Sequence, residues 1–280
     1  MVQRIVKLTE KAIGRAKDIF FADPKLLYEE ERHLVNEPFF FEGTNRKGVI
    51  LIHGWTATPY EVRRLGKYLN GEGFSVSGPM LRGHGTKPED LENVRWQDWL
   101  EDLLKAYDNL KKDCDQVYVS GTSIGSSLAM LLAIERPEIK GLVLMAPPYE
   151  IKFEKLLELW GEMLLPFKKY NKKYYPPTFG VSTTITRIIS YQKYSIKSSL
   201  ETLALVRAAR EKLSQIKQPV FLIKSLHDHV ISRNSLEKIY EEIGSEVKKK
   251  KYIKRAYHTF ISDIKNEHVF QDIADFLKEN

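Results

Sequence analysis

A serine set between two glycines, Gly121-Thr122-Ser123-Ile124-Gly125, is the group of residues in this chain best suited to covalent chemistry. The run Val117-Tyr118-Val119-Ser120 before it has the β-branched and aromatic character of a buried strand. After it, Ile124 to Arg136 is rich in helix formers and stops at Pro137. A strand that feeds a helix through one residue forces that residue into a strained backbone conformation, so its hydroxyl projects alone above the sheet edge. The flanking glycines remove the Cβ atoms that would clash there. The Ile124 amide then opens a helix, where unpaired N–H groups and the dipole favour an anion. A serine hydroxyl is a poor nucleophile at neutral pH, so a general base, an acid to orient it and a second oxyanion donor are also required.

The settings of the seven histidines separate them as bases. His33 lies in a charged stretch and His268 in an amphipathic C-terminal pattern, and both read as solvated surface. His53 and His84 come before the serine, whereas the expected order in a doubly wound sheet is Ser, then Asp or Glu, then His. His258 fits that order, standing after the strand-like Lys251-Tyr252-Ile253-Lys254 and a short turn. For the acid, Asp228 lies just past the apolar strand Val220 to Ser225, where parallel sheets place their chemistry. It would hold the His258 imidazole in one tautomer and stabilise the imidazolium. Asp263 is the fallback. His227-Asp228-His229 raises a metal alternative, but neighbours in extended chain point to opposite sides, so no metal site is expected. The second oxyanion donor should follow an early central strand. Val49 to His53 is that strand, and the N–H of Trp55 is the expected donor, with Gly54 allowing a close approach.

Together these pieces resemble the serine α/β-hydrolases, specifically the bacterial carboxylesterase and monoacylglycerol lipase group. The resemblance is carried by Glu37 to Gly43, Val49 to Trp55, Arg82-Gly83-His84-Gly85, Trp96-Gln97-Asp98-Trp99, Gly121 to Gly125, His227-Asp228 and His258. It spans residues 37–147 and 215–280. It implies Ser123 as nucleophile, Asp228 as acid, His258 as base and the amides of Trp55 and Ile124 as the oxyanion hole. Two departures are Tyr257, where the family often has glycine, and Ser126 as the small residue after the elbow. The implied reaction is hydrolysis of a small-molecule ester, with short- to medium-chain acyl esters and monoacylglycerols in view, and it needs no metal or organic cofactor. Acyl transfer, amide cleavage and non-catalytic ligand binding on the same frame are the alternatives.

The elements that must position these residues are those of an α/β fold, a mostly parallel central sheet flanked by helices. Strand-like runs alternate with helical ones, and 280 residues with 42% apolar content can bury one large core. Phe74 to Leu81, Gly141 to Ala146 and Lys250 to Lys254 are further expected strands, and Thr58-Pro59-Tyr60-Glu61 reads as a capping box opening a helix. Trp96, Trp99, Leu103, Ala106, Tyr107 and Leu110 recur at helical spacing and read as core packing.

Residues 37–148 and 214–280 form the expected core, and 149–213 reads as a helical cap insertion. The cap carries the apolar stripe Phe153, Leu156, Leu157, Trp160, Met163, Leu164 and Phe167, followed by the Tyr/Pro/Lys stretch Tyr170 to Pro177. Trp160, Met163 and Phe167 are expected to line an acyl pocket above Ser123. Residues 1–36 form an N-terminal extension in which Ile5, Leu8, Ala12, Ala16 and Ile19 line one helical face and Arg4, Lys7, Lys11 and Arg15 another. Docking on its own domain is the favoured reading, and weak membrane-surface contact through residues 1–22 the other. The net charge of +7 sits partly in runs, Lys168-Lys169 through Lys172-Lys173 and Lys248 to Lys251, that read as solvated faces, and no nucleic-acid module is recognisable, so no nucleic-acid partner is expected. One cysteine, no apolar run near the roughly 18 residues of a span and no signal-peptide core make the cytoplasm the expected compartment.

Overall fold

The computed structural model describes residues 31–173, 189–254, 256–263, 266 and 268–280. The expected amphipathic segment 1–22 and the end of the Tyr170 to Pro177 stretch lie outside the described residues. The strands are β1 (Phe39–Phe41), β2 (Lys47–Ile52), β3 (Ser75–Gly78), β4 (Gln116–Thr122), β5 (Leu142–Met145), β6 (Tyr170–Lys172), β7 (Lys193–Ser195), β8 (Val220–Ser225) and β9 (Lys248–Ile253). The helices are α1 (Tyr60–Gly71), α2 (Trp96–Asp113), α3 (Ile124–Glu135), α4 (Glu154–Leu164), α5 (Ile196–Arg210), α6 (Ser235–Glu242) and α7 (His268–Glu279).

Seven strands form one sheet in the order β1-β3-β2-β4-β5-β8-β9, with only β1 antiparallel to its neighbour. Alternate residues of each strand feed opposite layers, as the period of two requires. Ile50, Ile52, Val117, Val119, Leu142, Leu144, Val220 and Leu222 pack with α2, α3, α5 and α6. Val49, Leu51, Tyr118, Val143, Met145, Phe221 and Ile223 pack with α1 and α7. The α2 stripe is core as expected, with Trp99, Leu103, Tyr107 and Leu110 buried. Helix α3 is buried on nearly every side because it lies between the sheet and its helical neighbours, which explains its uniformly apolar sequence. The lysine run of β9 lies on the sheet's edge strand, where Lys250 pairs with Glu237 and Lys251 with Asp272. No helix among the described residues is long and apolar enough to cross a membrane.

The register fixes where the loops leave the sheet. Ile52 is paired with Gly121, Thr122 with Met145, Met145 with Ile223, and Ser225 with Ile253, so the loops after β2, β4, β8 and β9 emerge at one edge. Chain order reverses between β2 and β4, and such a reversal opens a crevice at the carboxyl ends of the strands. Ser123 turns the chain from β4 into α3 at φ 55°, ψ −122°. The turn is possible because a Cβ on Gly121 would collide with the Gly125 carbonyl, while one on Gly125 would lie 2.5 Å from the Ile52 oxygen and 2.8 Å from that of His53. Its N–H is tied to the Met145 carbonyl at 2.8 Å.

One local expectation is corrected. Thr58 and Glu61 do not form a capping box: α1 has no side-chain cap, the Thr58 hydroxyl is buried without a partner, and the Glu61 carboxylate turns inward to accept the Gly54 N–H at 2.7 Å. The inward bond wins because the Gly54 amide lies in the protein interior, where an unpaired N–H is costly.

His53 and His84 are buried beneath this edge, their rings 4.9 Å apart. The Leu81 N–H donates to His53 Nε2 at 3.2 Å, so His53 carries its proton on Nδ1 and donates to the Gly54 carbonyl at 2.9 Å. Burial draws the His53 imidazolium down to about 4 against an ordinary 6.5, and burial together with His53 draws that of His84 well below 6.5. The unfolded chain therefore binds more protons than the folded one between these values, so stability falls as pH drops from 6.5 towards 4.

Two outcomes follow from this arrangement. Unfolding free energy from urea titrations should lose up to about 1.4 kcal/mol per pH unit for each of the two histidines across that window, with the slope reduced in His53→Asn. Gly125→Ala should destabilise the protein by about 3 kcal/mol or more in the same assay, because backbone on both sides must move.

Candidate active site

At the carboxyl ends of the strands the side chains expected to act together do meet. His258 Nε2 lies 2.9 Å from Ser123 Oγ, and His258 Nδ1 lies 2.7 Å from Asp228 Oδ2. The other oxygen of Asp228 accepts the N–H groups of Val230 at 2.9 Å and Ile231 at 3.1 Å. Burial pushes the Asp228 carboxyl up, but the His258 imidazole and these two amides outweigh it and hold the group at about 2. It is thus an ionised acceptor throughout the neutral range, which fixes the Nδ1–H tautomer and leaves Nε2 to accept from the serine.

The loop after β8 supplies the acid because its chain alternates. Asp228 is buried between the exposed His227 and His229, so the three side chains do not converge. Among the described residues no group of acidic, histidine or cysteine side chains stands at metal-binding spacing. His258 arrives on the loop after β9, which is tied to β8 by the hydrogen bond from the Ser225 hydroxyl to the Ala256 carbonyl. Tyr257 packs beside His229, their rings 6.4 Å apart. Asp263 is buried in the same loop, but the carboxylate against His258 Nδ1 is Asp228. His33 and His268 are exposed, as expected for solvated positions.

The two expected oxyanion amides belong to segments in direct contact. A Cβ on Gly54 would sit 3.6 Å from Ser123 Cβ, and Gly125 lies against the carbonyls of Ile52 and His53. The Ile124 N–H is the first of α3 and has no acceptor one turn back in its own helix. Trp55 packs against Tyr194 in a tilted arrangement, with ring centroids 4.9 Å apart. The Ser126 hydroxyl, with one proton to share, lies 2.8 Å from the Gly121 carbonyl and 2.9 Å from that of Met145, which anchors the first turn of α3 to both strands beside it.

Two charged groups at this site were not singled out by spacing. Glu61 is buried in the first turn of α1; burial raises its carboxyl, while the Gly54 N–H, His258 and Lys173 act in the opposite direction. Lys173, just after β6, is half-buried as a residue, but its ammonium end is buried and falls to about 8 through desolvation, offset in part by Glu61. The residue types alone gave no signal, since Glu61 matched a capping pattern and Lys173 a lysine run.

The segment between β5 and β8 divides into two parts. Tyr191 donates its N–H to the Thr56 carbonyl at 3.0 Å and its hydroxyl to the Gly83 carbonyl at 3.0 Å, so this stretch rests on the loops after β2 and β3. Helix α4 instead turns Glu154 and Glu158 towards Arg210 and Arg207 of α5 at 3.2 and 2.6 Å. Its apolar face is left outward: Trp160 and Met163 are 58% and 65% exposed, Phe167 just past the helix is 88% exposed, and all three lie outside the hydrogen-bonded group around Ser123.

Comparison with known proteins agrees with this layout. A carboxylesterase of Bacillus subtilis (strain 168) is 30% identical over 248 residues, covering 87% of this chain and 96% of the relative. A thermostable monoacylglycerol lipase of Bacillus sp. (strain H-257) is 28% identical over 246 residues, covering 87% and 95%. In fold, the chain is similar to a metagenome-derived lipolytic enzyme of the LipS and LipT pair, with a TM-score of 0.77 at 24% identity over 88% of this chain and 98% of that one. The family model described as "Serine aminopeptidase, S33" matches residues 43–265. With the sheet order, the strand–serine–helix turn and that match over most of its length, the chain belongs to this family of α/β-hydrolases.

Proposed function

We propose that the protein is a serine carboxylic-ester hydrolase that cleaves short- to medium-chain acyl esters, monoacylglycerols among them, through an acyl-enzyme. The observation that carries this reading is the unbroken hydrogen-bonded line from Ser123 Oγ through His258 to Asp228. The names of the two bacterial relatives support an ester as substrate. Ser123 Oγ attacks the ester carbonyl as its proton passes to His258 Nε2, and the amides of Trp55 and Ile124 hold the oxyanion. The carbon–oxygen bond to the alcohol then breaks, and the alcohol leaves with the proton from His258. Water attacks the acyl carbonyl, gives its proton to the same nitrogen, and the acid departs as Ser123 recovers that proton. Asp228 stays ionised and stabilises the imidazolium.

Residues 149–213 serve as a cap between the core segments 37–148 and 214–280, with 1–36 an N-terminal extension. Trp160, Met163 and Phe167 meet the acyl chain where it leaves the core. Their exposed apolar side chains support contact with substrate, since several large apolar groups left open on one short segment mark an interaction surface. The buried, unpaired Cys114 suits the reducing cytoplasm. A second reading, amide cleavage on the same triad, is favoured by the description of the matching family as serine aminopeptidases.

Hydrolysis of p-nitrophenyl esters from acetyl to palmitoyl, run beside aminoacyl p-nitroanilides, separates the two. Ester turnover should dominate and should fall by about 10⁴-fold or more in Ser123→Ala and by about 10³- to 10⁴-fold in Asp228→Asn. Equal activity in wild type and Ser123→Ala would remove the serine mechanism. In Trp160→Ala and Phe167→Ala, kcat/KM should fall for the longest acyl chains and stay unchanged for acetyl esters; an unaltered chain-length profile would remove the acyl contact.

A further inference from the structure

Glu61 is a buried carboxylate next to the nucleophile that the hydrolytic steps above do not use. Its Oε2 accepts the Gly54 N–H at 2.7 Å, and a Cβ on Gly54 would stand 3.1 Å from that oxygen and 3.6 Å from Ser123 Cβ. The carboxylate therefore lies against the segment that carries the expected oxyanion donor. That donor, the Trp55 N–H, shares one planar peptide unit with the Gly54 carbonyl and points opposite to it. The carbonyl end is held by two donors, His53 Nδ1–H at 2.9 Å and the Ala57 N–H at 3.2 Å. Those bonds fix where the oxygen points, while rotation about the bonds preceding Gly54 is restrained by the Glu61 bond to its N–H. Gly54 has no side chain to hold it, so the backbone depends on these three contacts. Helix α1 fixes Glu61 itself, because the carboxylate comes from its first turn and Val62 and Leu65 beside it are buried in the core.

We infer that Glu61 is a positioning residue for the oxyanion hole, acting through the Gly54 N–H to aim the Trp55 amide at the developing oxyanion. This rests on the hydrolase reading. It concerns a group that touches neither the ester nor the transferred proton, and it assigns to the α1 terminus a role in the transition state instead of in helix capping. A donor displaced by a fraction of an ångström binds the ground-state carbonyl almost as well, but loses contact with the oxyanion.

The test measures kcat and KM on one p-nitrophenyl ester for wild type, Glu61→Ala, Glu61→Gln and Ser123→Ala, with inhibition by a trifluoromethyl ketone and thermal melting alongside. The ketone adds Ser123 reversibly and places an oxyanion in the hole, whereas KM reports on ground-state binding. Glu61→Ala should lower kcat about 100-fold with KM within about twofold, and should weaken the ketone by a similar factor. Glu61→Gln should recover most of both, because its amide oxygen still accepts the Gly54 N–H. Should Glu61→Ala fail to fold, Glu61→Asp, which withdraws the carboxylate from Gly54 by one methylene, is read for the same split. The inference is overturned if the folded variant keeps kcat within about threefold of wild type, if the loss lies in KM alone, or if Gln does no better than Ala. Those results with an active wild type and an inactive Ser123→Ala leave the hydrolase reading standing, whereas an inactive wild type removes both.

Discussion

The first turn of α3 presses against the ends of β2 and β4 more closely than any side chain would permit, and the arrangement of the site follows from that contact. Gly121 and Gly125 are the residues that allow it, since a Cβ on either would run into backbone carbonyls. The approach forces Ser123 to positive φ, which lifts its hydroxyl clear of the sheet. It also brings the start of α3 beside the loop that follows β2, so the Ile124 and Trp55 amides belong to touching segments. The in-register ending of β2, β4, β8 and β9 then brings the loops of Asp228 and His258 to the same edge. The strained backbone at Ser123 is tolerated because a large core on both sheet faces holds it.

Buried polarity around this contact is of two kinds. His53 and His84 are held neutral, and a neutral imidazole can both donate and accept, so His53 bridges Leu81 and Gly54 without the cost of a buried charge. Asp228 is held ionised, because two amides and an imidazole together outweigh its burial. The buried titratable groups are thus held in opposite electrostatic states, neutral at His53 and His84 and charged at Asp228. Glu61 stands between them: it is buried like the scaffold histidines, yet interacts electrostatically with His258 and Lys173.

The segment between β5 and β8 reverses the usual arrangement of an amphipathic helix. Acidic residues of α4 pair with arginines of α5, and a Cβ on Gly161 would sit 2.9 Å from Leu200, so the polar and small residues occupy the inner face. The apolar residues are thereby left outside. Periodicity reports that a helix has two faces, but which face turns inward depends on the neighbour, and here that neighbour offers guanidinium groups.

The sequence by itself determined the layered α/β fold, the positions of most strands, and the three residues that meet at the site. Each was encoded locally: alternating or continuous apolar runs mark strands, the glycine pair admits the Ser123 turn, and chain order separated His258 from His53 and His84. Only the tertiary structure decided what the buried polar groups bond to. Glu61 matched a capping box by spacing, but its carboxylate found the Gly54 amide, seven positions away in the chain and brought close by the turn into α1. Lys173 read as part of a solvated run, yet its ammonium end is buried near Glu61. The outward face of α4 was equally hidden from the sequence. These outcomes depend on the competition of desolvation, charge and hydrogen bonding among residues distant in the chain, and that competition is settled only when the chain has packed.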